Sequence, residues 1–270
     1  MSTLLFDEMW EVAERIAQAP HLLICLDYDG TLAPFEESPG GVYLSQQMQR
    51  LLRSLAGHES ATLVILSGRE RNDLQKRVGI ENIVYAGNHG LEISGPGLIL
   101  IEPTALKFWE PLQELASTLA PSLKAIPGAF VEDKGLTLTI HYRAVSESRH
   151  EEVQRTLEDA LRRTGRPFVL TAGDKVFEIR PPVAWNKGIA VQWIRQQLDE
   201  QVLPIYLGDD LTDEDAFIAL SDAITIKVGE SPQTAALYRI ENQEEVRRFL
   251  EWVDGLLYQK PVQAAAMQSS

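Results

Sequence analysis

The sequence of 270 residues has one cysteine, 25 basic side chains against 39 acidic ones, and only 7% aromatics. A single cysteine excludes a disulfide framework. Cys25 lies in the apolar run Leu22-Leu23-Ile24-Cys25-Leu26, where a free thiol behaves as a small buried hydrophobe. No stretch approaches the ~20 apolar residues that a membrane span needs, and Asp7, Glu8 and Glu11 deny the N-terminus the basic flank of a signal peptide. A cytoplasmic protein without a membrane partner is expected. The shortage of Lys and Arg, a formal charge of −14, also argues against nucleic acid, whose binding rests on neutralising phosphates. An anionic small molecule would need positive charge gathered locally against that field.

What is present is a rhythm of short apolar runs, each ending in small or polar residues and followed by a helical pattern. Leu22–Leu26 leads into Asp-Tyr-Asp-Gly-Thr, Ala61–Leu66 into Ser-Gly-Arg, and Ile83–Ala86 into Gly-Asn-His-Gly. Pro204–Leu207 leads into Gly-Asp-Asp, and Ala223–Ile226 into Lys-Val-Gly. Such runs read as buried strands of a parallel sheet, and their alternation with helices predicts a Rossmann-like, doubly wound α/β core. Helix starts are expected at Ser45, at Thr212 with Asp215, and at Asn242 with Glu245. Ligands of such sheets bind beyond the carboxyl ends of the strands, where these polar clusters fall.

Residues 104 to 180 break the rhythm. Leu106, Trp109, Leu112, Leu115 and Leu119 form one helical stripe; Val153, Leu157, Ala160 and Leu161 form another. Each precedes two strand-like segments, Ala129–Glu132 with Leu136–Tyr142 and Phe168–Thr171 with Lys175–Arg180. The order αββαββ predicts an inserted α+β cap over 104–180, bracketed by Pro103 and Pro181-Pro182 as hinge segments, within a core of 1–103 and 181–258. A frayed tail is expected over 259–270.

Asp27 and Asp29 emerge together at the end of the first buried run, a pairing suited to a metal or to a division of labour in which one carboxylate attacks phosphorus and the other handles a proton. Gly30 and Thr31 let the backbone turn closely around a phosphate. Ser67, Gly68 and Arg69 offer a hydroxyl, amides and a guanidinium for phosphate oxygens. Lys187 stands near a helix start, against the dipole, which is unfavourable unless an anion is close. Five carboxylates lie between 209 and 215, an oxygen-rich cluster that suits Mg²⁺; Asp209 and Asp210, nearest the strand end, are the better candidates.

These four elements, in this order and at strand ends, resemble the motifs of haloacid-dehalogenase-superfamily phosphatases. Within that superfamily the chain resembles the trehalose-6-phosphate phosphatase family from about residue 20 to 256, on Gly87-Asn88-His89-Gly90-Leu91-Glu92, Val131-Glu132-Asp133-Lys134, His141-Tyr142-Arg143, Lys175 to Pro181, and Trp185. The resemblance implies Mg²⁺-dependent hydrolysis of trehalose 6-phosphate with Asp27 as nucleophile and Asp29 as general acid then base. It implies Ser67 and Lys187 on the phosphoryl oxygens. The metal would be bound by Asp27, the Asp29 carbonyl and Asp209, with Asp210 or Asp213 assisting. It also places Glu132, Lys134 and Glu178 on hydroxyls of the unphosphorylated glucose and the Asn88-His89 segment near the substrate. Strand alternation puts Arg180 on the face of Glu178, turned toward the core. Whether His141 and Arg143 face the sugar or support the hairpin stays open. So do another sugar phosphate, such as sucrose 6-phosphate or glucosylglycerol phosphate, a non-catalytic sugar-phosphate sensor, and association with a trehalose-6-phosphate synthase. His21, His58 and His150 are expected at the surface, and Trp10, Trp109, Trp193 and Trp252 in helical packing positions.

Overall fold

The computed structural model describes residues 2–34, 43–198 and 201–259. From the N-terminus, β1 (Thr3–Leu4) and α1 (Met9–Gln18) precede β2 (His21–Asp27), α2 (Gln46–Ala56), β3 (Ala61–Leu66), α3 (Arg71–Val78) and β4 (Val84–Gly87). A hairpin of β5 (Glu92–Gly95) and β6 (Leu98–Ile101) and a short helix, α4 (Pro103–Leu106), follow. Next come α5 (Trp109–Lys124), β7 (Phe130–Asp133), β8 (Leu138–His141), α6 (His150–Thr164), β9 (Val169–Gly173) and β10 (Val176–Arg180). The chain returns through α7 (Lys187–Gln196), β11 (Val202–Gly208), α8 (Leu211–Ala219), β12 (Ile224–Val228), β13 (Tyr238–Ile240) and α9 (Gln243–Gln259).

Among the described residues the large sheet has nine strands in the order β1-β13-β12-β11-β2-β3-β4-β5-β6, antiparallel only across β4-β5-β6. Every residue of β2 is buried, because helices cover both faces. Leu22, Ile24 and Leu26 pack with Val12, Leu52 and Phe249 from α1, α2 and α9, whereas Leu23 and Cys25 pack with Val191 and Phe217 from α7 and α8. Burial of each such aliphatic side chain contributes about 1.5–3 kcal/mol, so both faces of β2 anchor the core. The chain leaves β2 for β3 on one side and returns to β11 on the other. The crevice therefore opens at the carboxyl end of β2, where Asp27 stands.

The αββαββ segment forms its own antiparallel sheet, β7-β8-β10-β9, with α5 and α6 packed through Leu112, Leu115, Leu119, Val153 and Leu157 on Ile140 and Ile179. A small apolar seam of Leu91, Ala105 and Leu136, flanked by Val183 and Trp185, joins the two layers. No helix among the described residues is long and apolar enough to cross a membrane.

The doubly wound α/β core is as expected, with an antiparallel β5–β6 hairpin added at the sheet's edge. Other expectations need correction. The stripe from Leu106 to Leu119 is two helices: Glu102 caps α4, Pro103 occupies its first turn, and Leu106 and Trp109 are half-exposed. Trp10 is 84% exposed, while Trp193 and Trp252 do pack inward. His21 is buried against Thr62, His58 binds Asp254 at 2.8 Å, and His150 binds the Val145 carbonyl at 3.0 Å. The partners of His21 and His58 come from a neighbouring strand and helix, beyond the reach of local spacing, whereas that of His150 lies five residues back. Ser45 caps α2 as expected, and Asn242 accepts the Glu245 N–H. The cap of α8, however, is Asp210 with Asp213, not Thr212 with Asp215, because β11 runs on to Gly208. Gln259 is the last residue of α9, and the rest of the expected tail lies outside the described residues.

Candidate active site

Four strand ends meet at one point. Asp27 closes β2, Ser67 follows β3, Asn88 follows β4, and Asp209 follows β11, while Lys187 is the first residue of α7. Lys187 Nζ donates to Asp27 Oδ1 at 2.6 Å and to Asp213 Oδ1 at 2.7 Å, all three side chains being buried. This is the anion that makes a lysine at a helix start acceptable.

Asp27, Asp209 and Asp213 each bring a carboxylate oxygen within 4.8 Å of the others. Three carboxylates against one ammonium leave the pocket in negative surplus. Burial is the largest cause pushing the Asp27 carboxyl well above its ordinary range; Lys187 opposes it, and Asp213 and Asp209 add to it. Burial and Asp213 likewise raise Asp209, against a hydrogen bond from Thr31. Burial would lower the Lys187 ammonium, but Asp213 and Asp27 hold it above its usual range. Asp27 Oδ2 is buried and accepts no hydrogen bond. An orphaned carboxylate oxygen in surplus negative charge is what a hard divalent cation satisfies, so the residues fit such an ion.

The three acids are not equivalent. Asp213 Oδ1 already accepts from Lys187 and, at 2.7 Å, from the Tyr206 hydroxyl, while its Oδ2 accepts the Asp210 N–H at 2.9 Å. Asp210 turns back to its own helix, accepting the Leu211 N–H. That leaves Asp27 Oδ2 and, on Asp209, Oδ2. Asp209 Oδ1 accepts the Thr31 hydroxyl at 3.0 Å, and Lys227 Nζ holds the Asp209 carbonyl. Gly30, at φ +88°, permits this approach, since a Cβ there would lie 2.0 Å from Asp209 Oδ2.

The phosphate-type donors of the second motif are arranged differently from expectation. Arg69 grips Asp29 in a fork, Nε to Oδ2 at 2.8 Å and the terminal nitrogen to Oδ1 at 2.5 Å, and Ser67 Oγ donates to Asp29 Oδ2 at 3.3 Å. Arg69 thus faces a carboxylate of its own chain. The Gly68 carbonyl accepts from Lys134 Nζ at 3.0 Å, a direct contact with the smaller sheet.

Asn88 and His89 stand in left-handed conformations, φ 48° and 57°, a strain of roughly 1–2 kcal/mol per residue. Their N–H groups donate to the Arg69 and Ser67 carbonyls at 2.7 and 2.9 Å, pinning this turn to the second motif. The Asn88 side chain is wholly buried, bonded to Glu92, Thr137 and the Lys134 carbonyl. Its polar atoms are thus spent on contacts that join the two sheets. His89 does reach the cleft: its Nε2 lies 3.1 Å from Glu178 Oε1. Burial would raise the Glu178 carboxyl, but His89, Lys134 and Arg180 hold it down to about 2. Arg180 lies 3.8 Å from the same carboxylate, on the face that alternation indicated.

Glu132 accepts from His141 at 2.7 Å, and that ring stacks on Phe130. Despite burial, His141, Lys134 and Arg69 keep the Glu132 carboxyl below its ordinary range. His141 thus supports a cleft residue, whereas Arg143 pairs with Asp174 at the far turn. Reading by spacing missed Tyr206 and Thr137, and gave no role to Glu92 and Lys227 within the segments it singled out. For Tyr206 a signal existed, a hydroxyl-bearing aromatic in an otherwise aliphatic strand.

Comparison with known proteins agrees with this geometry. A family model described as trehalose-phosphatase matches residues 25–244. Probable trehalose-phosphate phosphatase 4 of Oryza sativa subsp. japonica is 34% identical over 258 residues, which cover 90% of this chain and 69% of that protein. A solved structure of a trehalose-6-phosphate phosphatase related protein matches with a TM-score of 0.79 at 28% identity, covering 88% of this chain and 100% of its own. A haloacid dehalogenase-like hydrolase from Bacteroides thetaiotaomicron shares the fold, with a TM-score of 0.60 at 17% identity over 86% of this chain and 99% of its own.

Proposed function

The chain belongs to the trehalose-phosphatase family, and from that premise we propose that it converts trehalose 6-phosphate and water to trehalose and inorganic phosphate. It is a phosphatase, and its substrate is a sugar phosphate. The observation that carries the finer reading is the buried, unpartnered Asp27 Oδ2 beside Asp209, with Lys187 already on the other oxygen of Asp27.

In this reading Asp27 attacks phosphorus and becomes an aspartyl-phosphate, later hydrolysed, while Asp29 gives a proton to the leaving oxygen and then takes one from water. Lys187 and Ser67 hold phosphoryl oxygens. Asp213 keeps the Lys187 ammonium in place, and Tyr206 keeps Asp213 in place. Asp27, the Asp29 carbonyl and Asp209 would hold Mg²⁺, with Asp213 assisting through water. The ion, when bound, neutralises charge on the transferring group.

Glu132, Lys134, Glu178 and Arg180 form the sugar-facing set. Their carboxylates and ammonium hydrogen-bond several hydroxyls at once, and a ligand that leaves them unpaired is rejected. The Lys134 bond to Gly68 and the Glu178 contact with His89 support a closed cleft that excludes water around the phosphorus.

The test is a Mg²⁺-dependent phosphate-release panel across trehalose 6-phosphate, sucrose 6-phosphate, glucosylglycerol phosphate and glucose 6-phosphate. Trehalose 6-phosphate should lead by kcat/KM. Preference for another sugar phosphate would displace the substrate assignment, and binding without release would make the chain a sensor.

A further inference from the structure

Arg69 is already occupied. Its guanidinium, a fork built for planar bidentate anions, holds the Asp29 carboxylate through Nε at 2.8 and 3.1 Å and a terminal nitrogen at 2.5 Å. Ser67 Oγ reaches the same carboxylate at 3.3 Å. A hydroxyl and a guanidinium that the second motif offers to phosphoryl oxygens thus converge on an anion supplied by the first motif.

The arginine is fixed on all sides. Its guanidinium lies 5.7 Å from the centroid of the Tyr28 ring, its N–H donates to Ser67 Oγ, and its carbonyl accepts from Asn88. The second terminal nitrogen reaches only 3.4 Å toward Asp73, whose carboxylate Arg77 holds at 2.7 Å. Asp29, by contrast, is 28% exposed at its side chain against 16% for Arg69, so the carboxylate is the less enclosed partner.

We propose that the Asp29 carboxylate is a resident anion in the phosphate cradle of this enzyme, held by Arg69 and Ser67 until an arriving phosphoryl dianion takes over these donors; the freed Asp29 then takes a proton from solvent and carries it to the leaving oxygen. Arg69 is then a positioning residue that couples the arrival of phosphate to the freeing of the general acid. A dianion with three oxygens outcompetes a single carboxylate for the fork, whereas an uncharged sugar does not. The inference rests on the phosphatase reading and deepens it.

The experiment is a double-mutant cycle read by calorimetry of inorganic phosphate binding to the Mg²⁺-loaded protein. Asp29→Asn removes the resident anion and should tighten phosphate binding about tenfold, the scale of one charge-assisted bidentate bond. In an Arg69→Gln background that gain should fall below about twofold, because the contested donor is gone. Simple repulsion between Asp29 and phosphate predicts the opposite, a gain as large or larger without Arg69, and that outcome overturns the proposal. So does no gain at all. A readout on the wild type covers variants that fail to fold: the ¹⁵Nε–H resonance of Arg69 should shift on saturation with phosphate and stay put with trehalose, and an unmoved signal sinks the exchange. Hydrolysis of trehalose 6-phosphate without this coupling would leave the enzyme reading standing and remove only the exchange.

Discussion

Lys187 Nζ lies 2.7 Å from Asp213 Oδ1, in a pocket where both side chains are sealed from solvent. Asp213 touches neither of the two free carboxylate oxygens through an unspent atom, so its work is to hold the lysine that faces Asp27.

Replacing Asp213 by Asn should therefore loosen Lys187. Breaking one side of a buried pair costs about 3–5 kcal/mol, visible as a lower denaturation midpoint in urea. Phosphate release should fall by roughly a hundredfold, on the scale of losing one preorganised electrostatic contact. Retained turnover at wild-type level would remove Asp213 from the machinery.

Asp27→Asn should end turnover while the fold persists, because an amide cannot accept the phosphoryl group. Phosphate release in this variant would refute the nucleophile.

Mg²⁺ should raise the melting temperature of the wild type in a concentration-dependent way, as any ligand of the native state does. In Asp209→Asn the shift should be largely lost. Differential scanning fluorimetry across a Mg²⁺ series reads this without any turnover. An undiminished shift would place the ion elsewhere.

Glu178→Ala should impair hydrolysis of trehalose 6-phosphate far more than that of a small aryl phosphate, by about tenfold or more, since only the sugar meets Glu178. Equal losses on both substrates would show a role in the chemistry or the fold instead.

The same carboxyl links stability to pH. Its folded value near 2 lies below the unfolded 4.5, so its stabilisation is fully present above pH 4.5 and disappears as the pH falls through 2. About 3 kcal/mol is at stake, from the usual conversion of pKa shift to free energy. Urea titrations of wild type and Glu178→Gln between pH 5 and 2 should converge at the acid end. Parallel curves would deny Glu178 its ionised contacts with His89, Lys134 and Arg180.

Much of the architecture could be read directly from residue patterns. A strand buried on both faces must be apolar throughout, so β2, β3 and β11 announce themselves as runs, and α6 by a stripe that ends at Gly165. The hairpin β5–β6 escaped because its edge strand alternates half-buried Leu98 and Leu100 with exposed Ile99 and Ile101, all four apolar, so the sequence shows no polar–apolar alternation. Asp27, Ser67, Lys187 and Asp209 were legible because carboxyl strand ends and helix starts are local features.

What the order of residues determined by itself was the alternation of helix and strand, the inserted αββαββ segment and the identity of the motifs that meet at the crevice, since each follows from short-range periodicity. Only tertiary structure decided how those motifs share their charges. Asp210 is spent on a helix cap, Asp213 on Lys187 and Tyr206, Asn88 on joining two sheets, and Arg69 on Asp29. Each partner lies on another element, and a hydrogen bond depends on distance in space, to which separation along the chain is no guide.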